Sequence, residues 1–452
     1  MMCCVFSVNH GCVTSCLAYA STELGPDLAG LGGGILYVFY ACTSLFFSNV
    51  IVSMVGAKKG LILGLGGYCL YVGAFLFAIL SDRMKETSTT LTYIIFSTAC
   101  ALGGFSGGLL WTAQGRYFAK NAKLYSDALL NELSDASMSS VLEIGTNPLN
   151  TDKDGDTAEA QINAASIEKV NSSFGGIFAL NYLGFETLTK GGATIIFLLA
   201  PDEATSIIFS TYAILSVISV VCMIFYCLTL DDMGSGDFSW SAAYNRAVDA
   251  GRLVLSDYVL AMLLPFSIAF GFASSFVPYY VLGVIVNDSA ELGKTYVGLL
   301  SAIITLVGAA AAIPIAKISN IESIGKAPNM IFGCVCLAFG GFICYFLSDA
   351  LLGTWGWIIF YLFIYGLGRG VFENTNKAVV ADIYSKSNQH ITSAYASVAF
   401  ASGFSGAIGY FTFSHSTRDA MITLVFVSAC VAMGTYIASH IAHKKRDGFF
   451  EF

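Results

Sequence analysis

Apolar residues in this chain do not alternate with polar ones, as they would along half-buried strands. They run on at the length, about 20 residues, that a helix needs to cross a hydrocarbon core. The runs fall at approximately 2–21, 29–55, 59–80, 91–117, 174–200, 204–229, 254–286, 295–317, 328–348, 354–381, 391–414 and 419–443. A closed barrel would instead show alternating stretches of about 10 residues. The pattern predicts an all-α polytopic membrane protein with about 12 transmembrane helices, here segments 1–12. Segment 1 begins almost at Met1 and contains Asn9 and His10. It lacks the basic start and small-residue cleavage site of a signal peptide, so it is read as a retained segment.

The pattern also repeats. Val55-Gly56-Ala-Lys58-Lys59-Gly-Leu-Ile62-Leu-Gly64, between segments 2 and 3, matches Ile324-Gly325-Lys326-Ala-Pro-Asn-Met-Ile331-Phe-Gly333, between segments 8 and 9. Gly104 and Gly108 of segment 4 match Gly366 and Gly370 of segment 10, and a looser match links Ser173…Gly184 to Ser393…Gly403. Repeats of six segments with a solute site between them are a recurrent plan among secondary transporters. The expected organisation is an N-terminal six-helix bundle over 1–229, with an acidic cytoplasmic loop at 119–171. A cytoplasmic linker at 230–253, a C-terminal bundle over 254–443 and a cytoplasmic tail at 444–452 complete it.

Composition fits this reading. Only 12% of the 452 residues are charged, against about 25% in soluble domains, and the mean hydropathy is +0.71. With a cytoplasmic N-terminus, 16 of the 22 Lys and Arg fall on the inner side; only Arg83, Lys85, Lys294 and Arg418 fall outside. That asymmetry is the positive-inside bias, and it puts both termini in the cytoplasm of a plasma membrane or endomembrane. The net charge of −8 points away from nucleic acid. The thirteen cysteines lie mostly within apolar runs, where Cys acts as a small hydrophobe.

Charged and strongly polar side chains inside spanning segments are costly and usually face a bundle interior or a water-filled cavity. Segment 4 ends in Trp111-Thr112-Ala-Gln114-Gly-Arg116-Tyr117, and segment 10 ends in Arg369-Gly-Val-Phe372-Glu373-Asn374-Thr-Asn376-Lys377. Arg369, Glu373 and Lys377 are spaced i, i+4, i+8, so one helix face carries all three and Glu373 can pair with either neighbour. Glu186 and Lys190 form a second i, i+4 pair near the middle of segment 5. A mid-membrane Glu can couple to protons or serve as half of a structural ion pair. Candidates for solute binding or coupling are therefore Tyr37, Trp111, Gln114, Arg116, Glu186, Lys190, Arg369, Glu373, Asn374, Asn376 and Lys377. Trp and Tyr near segment ends also serve as interface anchors. Asn287-Asp-Ser289 is a glycosylation sequon in an outer loop, and Asn171-Ser-Ser173 is one on the inner side.

Other motifs fail on spacing. Gly30-Leu-Gly32-Gly33-Gly34 does not join a strand to a helix, which excludes a dinucleotide fingerprint and leaves close helix packing. Asp152-Lys-Asp154-Gly155-Asp156 resembles a calcium loop only until positions 6 and 12, which hold Thr157 and Asn163 instead of Gly and Glu. Gly293-Lys294-Thr295 lacks the upstream glycine of a phosphate loop. No catalytic, metal or cofactor motif emerges, and the chain is read as a non-enzyme.

Three stretches resemble the Unc-93-like branch of the major facilitator superfamily. They are Gly-Leu-Gly-x-x-Ile-Leu-Tyr37…Ser44, Leu110-Trp111-Thr112-Ala113-Gln114-Gly115-Arg116-Tyr117, and Gly-Val-Phe372-Glu373-Asn374-Thr375-Asn376-Lys377-Ala378. The resemblance implies two six-helix bundles around a cavity lined by segments 1, 4, 7 and 10. It also implies activities in potassium-channel regulation, ion homeostasis or receptor trafficking. Relative to the family, segment 1 is short at its start and the loop after segment 4 is long and acidic. The superfamily's loop motif survives in the first half only as Gly56-Ala-Lys58-Lys59, with Ser53 and Asn49 in place of its Asp and first Gly. The second half keeps Glu322-x-x-Gly325-Lys326. These are the candidate gating loops. The leading expectation is a protein in the lipid bilayer that moves a small solute or ion by alternating access. The alternative is a non-transporting accessory protein that regulates a channel or escorts a membrane receptor.

Overall fold

The computed structural model describes residues 2–84, 89–144, 154–229, 240–321, 323–384 and 388–448. Among these, ten helices are long and apolar enough to span a membrane. Two physical effects reconcile ten with the expected twelve. Pro26–Ser81 counts as one stretch of 56 residues, roughly 84 Å if straight, but Gly56 breaks it with φ 83° and ψ 160°. Val52 lies against Gly60, whereas residues eight apart in a straight helix are about 12 Å apart. The chain therefore turns back at Gly56, and segments 2 and 3 are separate crossings. Segment 5 is less apolar because it carries Glu186 and Lys190, yet it is helical throughout Asp154–Leu199.

Observed bounds follow the expected runs closely: Met2–Leu24 for segment 1, Ala204–Leu228 for segment 6, Ala327–Phe346 for segment 9 and Arg418–Gly448 for segment 12. The stretch 119–171, whose composition fits a flexible or partly helical surface, is helical through most of its length. Segment 4 continues as helix to Ile144, and segment 5 begins at Asp154. A nucleated helix extends at low cost through good helix formers such as Ala119, Lys120, Leu124 and Ala128. The first residues of the calcium-like stretch, Asp152 and Lys153, lie outside the described residues, and Asp154 onward is helix. The expected linker, 230–253, overlaps the helix Trp240–Ser256, whose Ala250 and Leu253 are buried. Asp257 follows it and caps segment 7, accepting from Val259 N at 2.9 Å and from the Tyr384 hydroxyl at 2.8 Å.

The sequence repeat is a structural one. Gly104 and Gly108 let segment 4 pack on the backbone of segment 2, at the Leu36 and Tyr40 carbonyls. Gly366 and Gly370 do the same for segment 10 on segment 8, at the Ile304 and Gly308 carbonyls. A Cβ at Gly366 would sit 2.7 Å from the Ile304 oxygen, so a larger residue would push these helices apart. Gly325 (φ 66°) is the repeat equivalent of Gly56, a backbone setting that glycine alone adopts freely. Gly25 and Gly293, after segments 1 and 7, are a second positive-φ pair at the opposite end. The two halves meet where segment 2 packs on 11, segment 5 on 8, and segment 1 on 7. Gly33 and Gly34, from the run read as a packing motif, face Tyr410 and Phe411 of segment 11.

Among the described residues three helices widen locally into π turns, at Thr43–Phe47 in segment 2, Val277–Val286 in segment 7 and Phe372–Asn376 in segment 10. Such bulges are frequent at functional sites because they re-aim side chains without ending the helix. The turns in segments 7 and 10 line the central cavity.

Candidate functional site in the central cavity

Between the halves lies a cavity of about 170 Å³, several times the roughly 30 Å³ share of one water. Segment 1 contributes His10 and Thr14, segment 2 Tyr37 and Tyr40, segment 4 Trp111 and Gln114, and segment 5 Tyr182 and Lys190. Opposite them segment 7 contributes Phe270 and Ser274, segment 10 Tyr365, Arg369, Phe372, Glu373, Asn376 and Lys377, and segment 11 Tyr395 and Tyr410. The implied lining by segments 1, 4, 7 and 10 is present, with segments 2, 5 and 11 added, as well as Tyr68 of segment 3 and Ser301 and Ile304 of segment 8.

Glu186 is the hub of the charges. It is fully buried, and its carboxylate meets Lys190 Nζ at 2.7 Å through one oxygen and Arg369 Nη2 at 2.7 Å through the other. Thr14 donates to the same carboxylate at 2.9 Å, and His10 Nδ1 lies 3.9 Å away. The His10 ring is held by the Tyr182 hydroxyl at 2.8 Å, and Arg369 also reaches that hydroxyl at 3.4 Å. The three-residue ladder expected on segment 10 is thus only half formed. Arg369 leaves its own helix to pair with segment 5 of the other half, and Glu373 pairs with Lys377 alone, at 2.8 Å. The reason is geometric. A facing carboxylate at 2.7 Å is available across the cavity, and sequence spacing on one helix cannot reveal it.

Lys377 is a second bridge between halves. Its ammonium sits 4.2 Å from the Trp111 ring centroid, 4.6 Å from Phe178 and 6.0 Å from Tyr182, all in the N-terminal half. Phe6 packs edge-on against Trp111 and Tyr182 and closes the aromatic box. A desolvated cation over ring faces gains about 2 kcal/mol or more, so Lys377 is held by π faces as much as by Glu373. The Lys377–Glu373 pair is close but not aligned as a hydrogen bond, leaving Lys377 Nζ and Glu373 Oε2 with unmet capacity. Gln114 Nε2, Asn376 Nδ2 and the Tyr410 hydroxyl are likewise buried without a hydrogen-bond partner.

Other sequence candidates divide clearly. Tyr37, Trp111 and Gln114 line the cavity, so the two aromatics are not interface anchors. Tyr37 stacks on Tyr410 at 5.5 Å. Arg116 and Asn374 lie outside the lining: Arg116 donates to the Val52 carbonyl at 3.2 Å, and Asn374 donates to the Ala312 carbonyl at 2.9 Å. Both fasten helices together. In the gating loops, Gly56 and Gly325 make the turns, and the Lys58 carbonyl faces Cys227. Lys59 is exposed, and Glu322 lies outside the described residues. Lys326 makes a latch that spacing did not show. Its ammonium meets Asp382 at 2.6 Å and the Glu168 carbonyl at 3.3 Å, while Asp382 accepts from Asn171 at 2.9 Å. His10, Thr14, Tyr182 and Asp382 were missed as site residues. Tyr182 carried a usable signal, since Tyr182, Glu186 and Lys190 recur every four residues.

This geometry, two matched helix sets around a buried charged cavity, defines an integral multi-pass membrane protein with a transporter fold. The Major Facilitator Superfamily profile matches residues 174–410, just over half of the chain, and the chain belongs to that superfamily. The structure is similar to the proton:xylose symporter XylE bound to 6-bromo-6-deoxy-D-glucose, with TM-score 0.63, 11% identity, and coverage of 96% of this chain and 93% of that one. It is also similar to a bacterial homologue of the iron transporter ferroportin in its outward-facing state, with TM-score 0.62, 12% identity, and coverage of 97% and 99%. At such identities the likeness is one of fold. UNC93-like protein 3 of Arabidopsis thaliana is 29% identical over 105 residues, 23% of this chain and 20% of that protein. The match therefore spans about a fifth of that relative's length.

Proposed function

We propose that the protein moves a small solute or ion across the bilayer by alternating access, with the central cavity as its site. One observation carries this reading. The cavity's strongest links, Arg369 to Glu186 and Lys377 to the aromatic box, join the two halves. Rocking the halves about a fixed site is how such repeats alternate, and it must remake these links. A buried salt bridge that served packing alone has no need to cross that boundary. Reconstitution into liposomes and counterflow across a panel of solutes tests the reading. Saturable exchange is expected in the wild type, and its loss in Arg369→Met.

The three matching stretches and the partial match to UNC93-like protein 3 support a place in the Unc-93-like branch. The degenerate first-half loop, with Ser53 and Asn49, favours the accessory reading instead. Absence of flux for every solute, with a stoichiometric channel or receptor co-purifying, would replace transport with that role.

The Lys and Arg asymmetry supports cytoplasmic termini, which puts the Gly56 and Gly325 loops inside. In a eukaryotic secretory membrane, a glycan on half-buried Asn287 is expected, removed by Asn287→Gln. Asn171 is 1% exposed and bonded to Asp382, so it should carry none. Sugar on Asn171 would overturn this orientation.

A further inference from the structure

Resting on the cavity as solute site, we infer that its ligand is a small organic monoanion: a carboxylate on an apolar, ring-sized body. Three observations converge. The first is charge. Lys190, Arg369 and Lys377 face Glu186 and Glu373, all five side chains buried, an excess of one positive charge, and protonation of His10 would only add to it. Uncompensated charge away from water is costly, and an incoming anion balances it.

The second is the identity of the unmet groups. Lys377 Nζ, Gln114 Nε2 and Asn376 Nδ2 are buried donors without an aligned partner, and all three line the cavity. Ammonium offers donors only, and an anionic oxygen accepts from several at once with charge-assisted strength. The one unmet carboxylate oxygen, Glu373 Oε2, faces Lys377 Nζ at 2.8 Å, and Glu186 already takes Lys190, Arg369 and Thr14, so an entering cation would meet an ammonium beside the only spare acceptor among the cavity carboxylates. A neutral polyol needs donors and acceptors in balance, and the unmet side here is mainly donors.

The third is the wall. Phe270 and Phe372 stack with centroids 3.7 Å apart, and Tyr37 stacks on Tyr410. These flat apolar surfaces suit a hydrocarbon body beside the donor end, within about 170 Å³.

The test uses the purified full-length chain in detergent and matched solutes of one shape: benzoate, benzamide and benzylamine, with acetate and chloride as controls. Thermal unfolding midpoints report binding, since a ligand of the folded state raises them. Benzoate should raise the midpoint saturably. Benzamide should bind at least about tenfold more weakly, and benzylamine should have no effect. Lys190→Met keeps the Glu186–Arg369 pair while removing the excess charge, so it should weaken benzoate about tenfold and leave benzamide unchanged. Should that variant fail to fold, Gln114→Leu changes no charge and should weaken benzoate several-fold. Equal responses to benzoate and benzamide, a response to benzylamine, chloride matching benzoate, or no response to either carboxylate would each overturn the assignment. Those results leave transport standing wherever counterflow of another solute is seen. Conversely, benzoate binding without counterflow would sink the transport reading and leave the anion site in place.

Discussion

Glu186→Gln is expected to destabilise the chain by about 3–5 kcal/mol, the cost of breaking a buried ion pair by removing one partner. The size follows from what the residue holds: two cations at 2.7 Å each, with its own side chain fully out of solvent. Neutralising Glu186 strands both. A simple pair with Lys190 would predict that Glu186→Gln with Lys190→Met recovers most of the loss. The observed network predicts otherwise, since that double variant still leaves Arg369 buried without its carboxylate. Recovery should instead require Lys190 and Arg369 to be neutralised together with Glu186, because replacing a whole buried network by apolar groups is often close to neutral. Unfolding midpoints of the single, double and triple variants in detergent give the coupling energies. Full recovery in the double variant would show that Arg369 does not depend on Glu186. The triple variant, though stable, should not transport.

That contrast shows what the sequence can reveal of such a site. Twelve crossings, the repeat and the Glu186–Lys190 and Glu373–Lys377 pairs are all legible, because each depends on spacing along one helix or on run length. Segment 5 was found as the apolar run 174–200 even though its charges depress its hydropathy. The Arg369–Glu186 bond is not legible, because it joins helices 183 residues apart in the chain. His10 escaped for a related reason, whereas Tyr182 shares the face of Glu186 and Lys190 and was overlooked. A lone His in an apolar run has many uses, and only the facing helix shows that the Tyr182 hydroxyl orients it beside a carboxylate. Asp382 falls just past the run read as segment 10, and only the fold brings Lys326 to it, at 2.6 Å.

Asp382→Asn is expected to open the cavity at the Gly56 and Gly325 end. Asp382 and Lys326 belong to the C-terminal half, and together they grip the start of segment 5 through Asn171 and the Glu168 carbonyl. Asn320 adds a bond to Ser173 at 3.1 Å beside them. A hydrogen bond to a charged group contributes about 1.5–3 kcal/mol, and each 1.4 kcal/mol is about tenfold in an equilibrium. Loss of the charge should therefore raise the population open at this end by about tenfold or more. A cysteine replacing Val398 in the cavity, on a background without the native cysteines, reports it. Its modification by an impermeant thiol reagent applied from that face should accelerate by the same factor in Asp382→Asn. Lys326→Met should act in the same direction, and more weakly in combination than the two effects multiplied, since both remove one latch. An unchanged labelling rate with a lowered unfolding midpoint would mean that the latch serves stability alone, and the gate would then have to lie elsewhere between segments 5 and 10.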